Sequence, residues 1–156
     1  MGSEAVEAIA LASELGVTIA TAESLTGGKV CEALVEVPGA SHVVRGGVVA
    51  YVVDVKHDVL GVAQDLLDTL GPVSEPVALA MARGARRLMG ADVAVATTGV
   101  AGPEPHGGEA PGTVVIAVAG PKGEAVTTLH LSGNRDDIRR ETTRLALVEL
   151  RMLLAA

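Results

Sequence analysis

Four short runs restrict the fold of this chain more than any other feature. VTIA (17–20), VVRGGVVAYVV (43–53), DVAVATT (92–98) and TVVIAVA (113–119) are rich in β-branched residues and apolar almost throughout. A strand that is apolar on both sides has to be covered on both sides, as in a mostly parallel sheet between two layers of helices. The intervening segments supply those layers. Residues 4–15 place Ala8, Leu11, Ala12 and Leu15 on one helical face, with Ser3 positioned to cap and Gly16 to stop. A second helix is expected over 27–36, ended by Pro38-Gly39. Asp54 is placed to cap a short helix bearing Lys56, and another short helix covers 64–70.

The clearest helix follows Ser74. Pro76 falls in its first turn, where a missing N–H is harmless, and Val77, Met81, Ala85, Leu88 and Met89 form its apolar face up to Gly90. The strand at 113–119 and EAVTTLHL (124–131) are joined by GPKG, short enough for a hairpin, which forces at least one antiparallel strand. Asn134 caps a final helix with Asp136 and Asp137 in its first turn, where the helix dipole favours negative charge, and with Ile138, Leu145, Val148 and Met152 facing inward. The expectation is an α/β fold, a three-layer α/β/α sandwich with a mixed, mostly parallel sheet, in which the run at 43–53 is a central strand.

At 156 residues, 49% of them hydrophobic, the chain reads as a single domain over 1–156 with ample core, and disorder is excluded. No apolar run is long enough to span a bilayer, and the start MGSEAVEAIA lacks the basic and apolar blocks of a signal peptide. A cytoplasmic protein with no membrane partner is expected. Twelve Lys+Arg against 19 Asp+Glu give a net charge of −7, the wrong sign for a nucleic-acid binder. The single cysteine, Cys31, forms no internal disulfide and reads as a packed core thiol. The histidines show no ligand spacing, so neither metal nor cofactor is expected. There is no Phe or Trp and one tyrosine, Tyr51, so the core is aliphatic, and that phenol either fills a gap or is kept for its hydroxyl.

Ligands of open α/β sheets collect beyond the carboxyl ends of the strands, and three polar segments fall there. In TAESLTGG (21–28), Ser24 and Thr26 either cap the next helix or one of them is a nucleophile. The entrance at Thr26, Gly27 and Gly28 offers N–H groups and a positive dipole end to an anion or oxyanion. Lys56 follows Tyr51 by five residues; a lysine drawn into a dry cleft loses basicity and can serve a serine as its base. TTGVAGP (97–103) brings the Thr98 hydroxyl and glycines Gly99 and Gly102, which let a ligand approach the backbone.

TAESLTGG, GGVVAY with its lysine five residues on, LGPVSEPVALAMARGA, GADVAVATTGVAGP and GTVVIAVAG occur in this order over about residues 5–154. Together they resemble the CinA C-terminal domain family, whose characterised members include nicotinamide mononucleotide (NMN) deamidases. The resemblance is to the form without an added molybdopterin-binding-like domain. It implies a five-stranded mixed sheet, a homo-oligomer, no metal, and hydrolysis of the NMN carboxamide to nicotinate mononucleotide and ammonia in NAD recycling. Carried over by motif, Ser24 is the nucleophile, Lys56 its base and Tyr51 an aid to proton transfer. Thr98 and the glycines after it hold substrate. An arginine of GNRDDIRRE meets the 5′-phosphate, with Arg139 favoured over Arg135 and Arg140 also present. Glu23 either orients Lys56, binds ribose or is structural. Two other classes stand beside the hydrolase: a non-catalytic nucleotide-binding module, and a competence- or damage-related partner protein.

Overall fold

The computed structural model describes residues 2–156. Along the chain come α1 (Ser3–Leu15), β1 (Ile19–Glu23), α2 (Lys29–Val35), β2 (Val44–Val49), α3 (Val53–Asp58), α4 (Gln64–Leu70), α5 (Glu75–Met89), β3 (Val93–Gly99), β4 (Thr113–Gly120), β5 (Gly123–His130) and α6 (Arg135–Ala155). The sheet has five strands in the order β2-β1-β3-β4-β5. β1 pairs parallel with β2 and β3, while β4 is antiparallel to both β3 and β5, so β4 alone runs backward. This is the expected three-layer sandwich with a mixed, mostly parallel sheet.

One expectation fails: the run at 43–53 is not a central strand. The chain leaves β2 and crosses β1 through α3, α4 and α5 before adding β3 on the far side of β1. β2 therefore has a neighbour on one side only, its residues alternate between half-buried and exposed, and the run turns off into α3 after Ala50. The same crossover creates the topological switch between β1 and β3, where the carboxyl ends of an open α/β sheet leave a crevice.

Side chains alternate along each strand, and here the two faces differ in kind. Ala20, Ala22, Ala94, Ala96, Ala117 and Ala119 pave the face under α5. Ile19, Val93, Val95, Ile116 and Val118 form the other face, packed against α1, α2 and α6. An alanine-lined face lets a helix approach closely without large side chains between, which is how the chain fills its core without Phe or Trp. α5 answers with Ala78, Ala82, Gly84 and Ala85, all buried.

Helix ends follow the sequence unevenly. Asn134 caps α6 as expected: its side chain accepts from the Asp137 N–H at 2.9 Å, and the Asp137 carboxylate accepts from the Asn134 N–H at 3.0 Å. Ser3, Asp54 and Ser74 cap nothing; Ser74 instead donates its hydroxyl to the Gly71 carbonyl. The buried face of α6 is Ile138, Ala146, Leu147, Leu150 and Leu154, leaving Leu145 and Val148 half-buried and Met152 exposed. A leucine-rich helix offers two apolar stripes, and packing against Ala5, Ala8 and Ile9 of α1 selects one of them. On α5, Leu88 is likewise exposed while Met89 packs inward. Among the described residues no helix is long and apolar enough to cross a membrane.

A Cβ on Gly84 would stand 2.0 Å from the Leu60 carbonyl oxygen, so a side chain there pushes α5 off its neighbour. Alanine normally favours a helix interior over glycine by up to about 1 kcal/mol. Here overpacking wins: Gly84→Ala is expected to destabilise the fold by about 1–3 kcal/mol, measured by urea unfolding.

Candidate active site

The parity of the strands sorts the polar residues at their ends. Glu23, the last residue of β1, lies on the face toward α2; Ser24, one step on, turns to the other side. The Glu23 carboxylate is buried and surrounded by donors: the Thr26 hydroxyl at 2.6 Å and the N–H groups of Val30 at 2.9 Å, Cys31 at 3.0 Å and Gly28 at 3.2 Å. It neutralises the positive end of α2 and ties that helix to β1. Glu23 is thus a structural carboxylate, the third of its expected roles.

That arrangement corrects the expected oxyanion site. Two of the three entrance N–H groups are occupied, since Gly28 donates to Glu23 and Gly27 to the Ser24 carbonyl at 3.1 Å, and none of Thr26, Gly27 and Gly28 lines the cleft. The Thr26 hydroxyl is buried against Glu23 and the Thr97 hydroxyl, 2.8 Å away. Thr26, Gly27 and Gly28 therefore brace the turn and stand outside the cleft. The first N–H after Ser24, that of Leu25, has no protein acceptor among the described residues, and Leu25 lines the cleft.

The cleft itself opens at the switch between β1 and β3, with a volume of about 530 Å³, within the range of small-molecule sites. Ser24, Tyr51, Lys56, Thr98, Gly99, Gly102 and Arg135 all line it. The Ala50 N–H donates to the Glu23 carbonyl at 2.7 Å, prolonging the β1–β2 ladder and setting Tyr51 beside Ser24. α3 then folds back and carries Lys56 inward, 1% exposed. Its amine donates to the Ala50 carbonyl at 2.7 Å and to Ser24 Oγ at 3.0 Å, with the Tyr51 carbonyl at 3.4 Å. Burial pulls the Lys56 pKa down from 10.5 to about 8. The amine is therefore neutral in roughly a tenth of molecules at pH 7 and in about half at pH 8, far more than for an ordinary lysine, and a neutral amine 3.0 Å from a hydroxyl can take its proton.

Tyr51 sits differently from its expected part in proton transfer. Its backbone carbonyl faces Ser24 and Lys56, whereas its phenol oxygen accepts from Arg135 Nη2 at 3.0 Å. Arg135 Nη1 donates in turn to the Gly102 carbonyl at 2.7 Å. The favoured phosphate arginine is also corrected. Arg139 donates through Nε to the Leu25 carbonyl at 2.8 Å beneath the turn and does not line the cleft, and Arg140 pairs with Asp136 on the surface. One helical turn, about 6 Å of rise, separates Arg139 from Arg135, and only the residue at the very start of α6 reaches the mouth.

Thr98 faces the cleft side, but its hydroxyl is engaged, donating to the Pro72 carbonyl at 2.7 Å and pinning the loop before α5 over the site. Pro72, Val73, Glu104 and His106 also line the cleft; Pro72 and Val73 fall within the run LGPVSEPVALAMARGA, but no site role was expected of any of the four. Cys31 is half-buried, and burial pushes its thiol pKa up, away from thiolate chemistry.

The model of the CinA C-terminal domain matches residues 3–154. The chain belongs to the CinA C-terminal domain family. A CinA-like protein of Mycobacterium avium is 50% identical over 145 residues, covering 89% of this chain and 33% of the relative, so the chain spans about a third of the length of such curated relatives. Among solved structures, competence/damage inducible protein CihA from Agrobacterium tumefaciens is 38% identical with a TM-score of 0.92, covering all of this chain and 98% of that one. A competence or damage-inducible protein from Enterobacter asburiae gives 31% identity and a TM-score of 0.93 over 97% of this chain. The five-stranded mixed sheet found here is the CinA-superfamily fold.

Glu23→Gln keeps the shape but replaces an acceptor by a donor facing N–H groups. It is expected to cost about 1–3 kcal/mol of stability by thermal or chemical unfolding.

Proposed function

We propose that this chain is an amidohydrolase that converts NMN and water to nicotinate mononucleotide and ammonia. The single observation that carries the reading is the buried Lys56 amine held 3.0 Å from Ser24 Oγ on the wall of a cleft sized for a small molecule. The substrate comes from the family resemblance. Its fit to the cleft is chemical: an amide at the Ser24 end and a phosphate for the Arg135 guanidinium at the mouth.

In the proposed reaction, Ser24 Oγ forms a bond to the amide carbon while its proton passes to neutral Lys56 Nζ. The oxyanion is held by the Leu25 N–H, the first donor after the nucleophile. As the intermediate collapses, the C–N bond breaks and Lys56 returns the proton to the departing nitrogen, which leaves as ammonia. Water then attacks the acyl ester, Lys56 takes its proton, and the bond to Ser24 Oγ breaks as that oxygen is reprotonated. Lys56 acts as base and then acid in each half, a cycle that needs a pKa close to the working pH.

Ammonia release from NMN tests the reading. Ser24→Ala is expected to abolish it, and Lys56→Arg, which keeps the charge but cannot deprotonate, to lower kcat by about 10²–10⁴-fold. Equal release by the parent and Ser24→Ala would contradict the mechanism. Because the active base is the neutral amine, activity falls with the protonated fraction: kcat/KM is expected to drop about tenfold per pH unit below pH 8 and to level off above it. Arg135→Leu is expected to raise KM for NMN about 10–100-fold and to leave KM for the riboside, which lacks the phosphate, much less affected.

A further inference from the structure

We infer that Tyr51 serves this site as the stacking face for the positively charged ring of the substrate, an inference that rests on the NMN reading above. Tyr51 is the only aromatic residue in the chain, and it is 58% exposed on the wall of the cleft. A chain that packs its whole core with aliphatic side chains has no structural use for a ring left in solvent. The ring is nevertheless fixed at both ends. Its backbone carbonyl faces Ser24 Oγ at 3.5 Å and Lys56 Nζ at 3.4 Å, and its phenol oxygen accepts from Arg135 at 3.0 Å. Arg135 is itself held by the Gly102 carbonyl.

Those contacts give the ring a position between the two ends of the proposed substrate. The amide is to react at Ser24 and the phosphate to meet Arg135, so the pyridinium connecting them lies along Tyr51. An aromatic face attracts a cation through its quadrupole, and a ring already immobilised loses little freedom on binding. The phenol oxygen is engaged by Arg135, so the hydroxyl positions the ring, and proton transfer is left to Lys56. Tyr51 is thus a specificity residue for a flat, cationic ring.

The test measures binding without turnover, by calorimetry on the Ser24→Ala protein. Adding Tyr51→Leu is expected to weaken NMN about tenfold, and Tyr51→Phe, which restores the ring, to return affinity to within about threefold of the Tyr51 parent. The loss caused by Tyr51→Leu is expected to shrink to under about threefold for the reduced 1,4-dihydro form of NMN, which keeps amide, ribose and phosphate but has no charged aromatic ring. Equal NMN affinity for the Tyr51 parent and the Tyr51→Leu variant, or a Tyr51→Phe variant as weak as Tyr51→Leu, would overturn the stacking role while the nucleotide reading stands. Absence of NMN binding by the Ser24→Ala protein with Tyr51 intact would overturn both.

Discussion

The alternation of side chains along β1 and β3 is the constraint from which the site follows. At the end of each strand two adjacent polar residues fall on opposite sides of the sheet: Glu23 and the following Ser24 at β1, Thr97 and Thr98 at β3. The pair facing α2, Glu23 and Thr97, closes a buried network with the Thr26 hydroxyl that fixes the turn. The pair facing α5, Ser24 and Thr98, lines the cleft. A slip of one residue in either strand would exchange the two sets, putting a carboxylate beside Lys56 and a hydroxyl against the α2 N-terminus. The Ala-paved face of the sheet and the Val/Ile face opposite hold that register against such a slip.

The proposed function works against stability at one point. Lys56 is buried among carbonyls and a hydroxyl, and the depressed pKa is the signature of an environment that resists its charge. A solvated lysine at the same place would stabilise the fold more and would remain protonated. The surrounding polarity is enough to hold the amine in position, with the Ala50 carbonyl as its shortest contact, without neutralising it with a carboxylate. Glu23 is the nearest acid in sequence to Ser24, and the fold commits it to the other face.

Much of this was legible in the sequence because each signal was local. Continuous β-branched runs gave the strands, Gly16 and Gly90 gave helix stops, and Asn134 gave the cap of α6. The meeting of Ser24 with Lys56 followed from placing both at strand ends. What escaped were choices made by packing and parity. The edge position of β2 depends on the crossover direction, which no residue in 43–53 encodes. The inward stripe of α6 was settled by α1, and the choice of Arg135 over Arg139 by where the helix begins relative to the cleft. The roles of Glu23 and Thr26 were readable in principle: Ala20 and Ala22 mark the face under α5, and counting by twos places Glu23 on the opposite one.

The central claim is that Lys56 makes Ser24 a nucleophile, and labelling by an electrophile tests it without reference to any substrate. A fluorophosphonate reacts with activated serines, and intact-protein and peptide mass spectrometry report where it lands. The account predicts one adduct on Ser24 at pH 8, lost in Lys56→Arg. Labelling of other serines, or labelling of Ser24 that proceeds equally well with arginine at position 56, would contradict it.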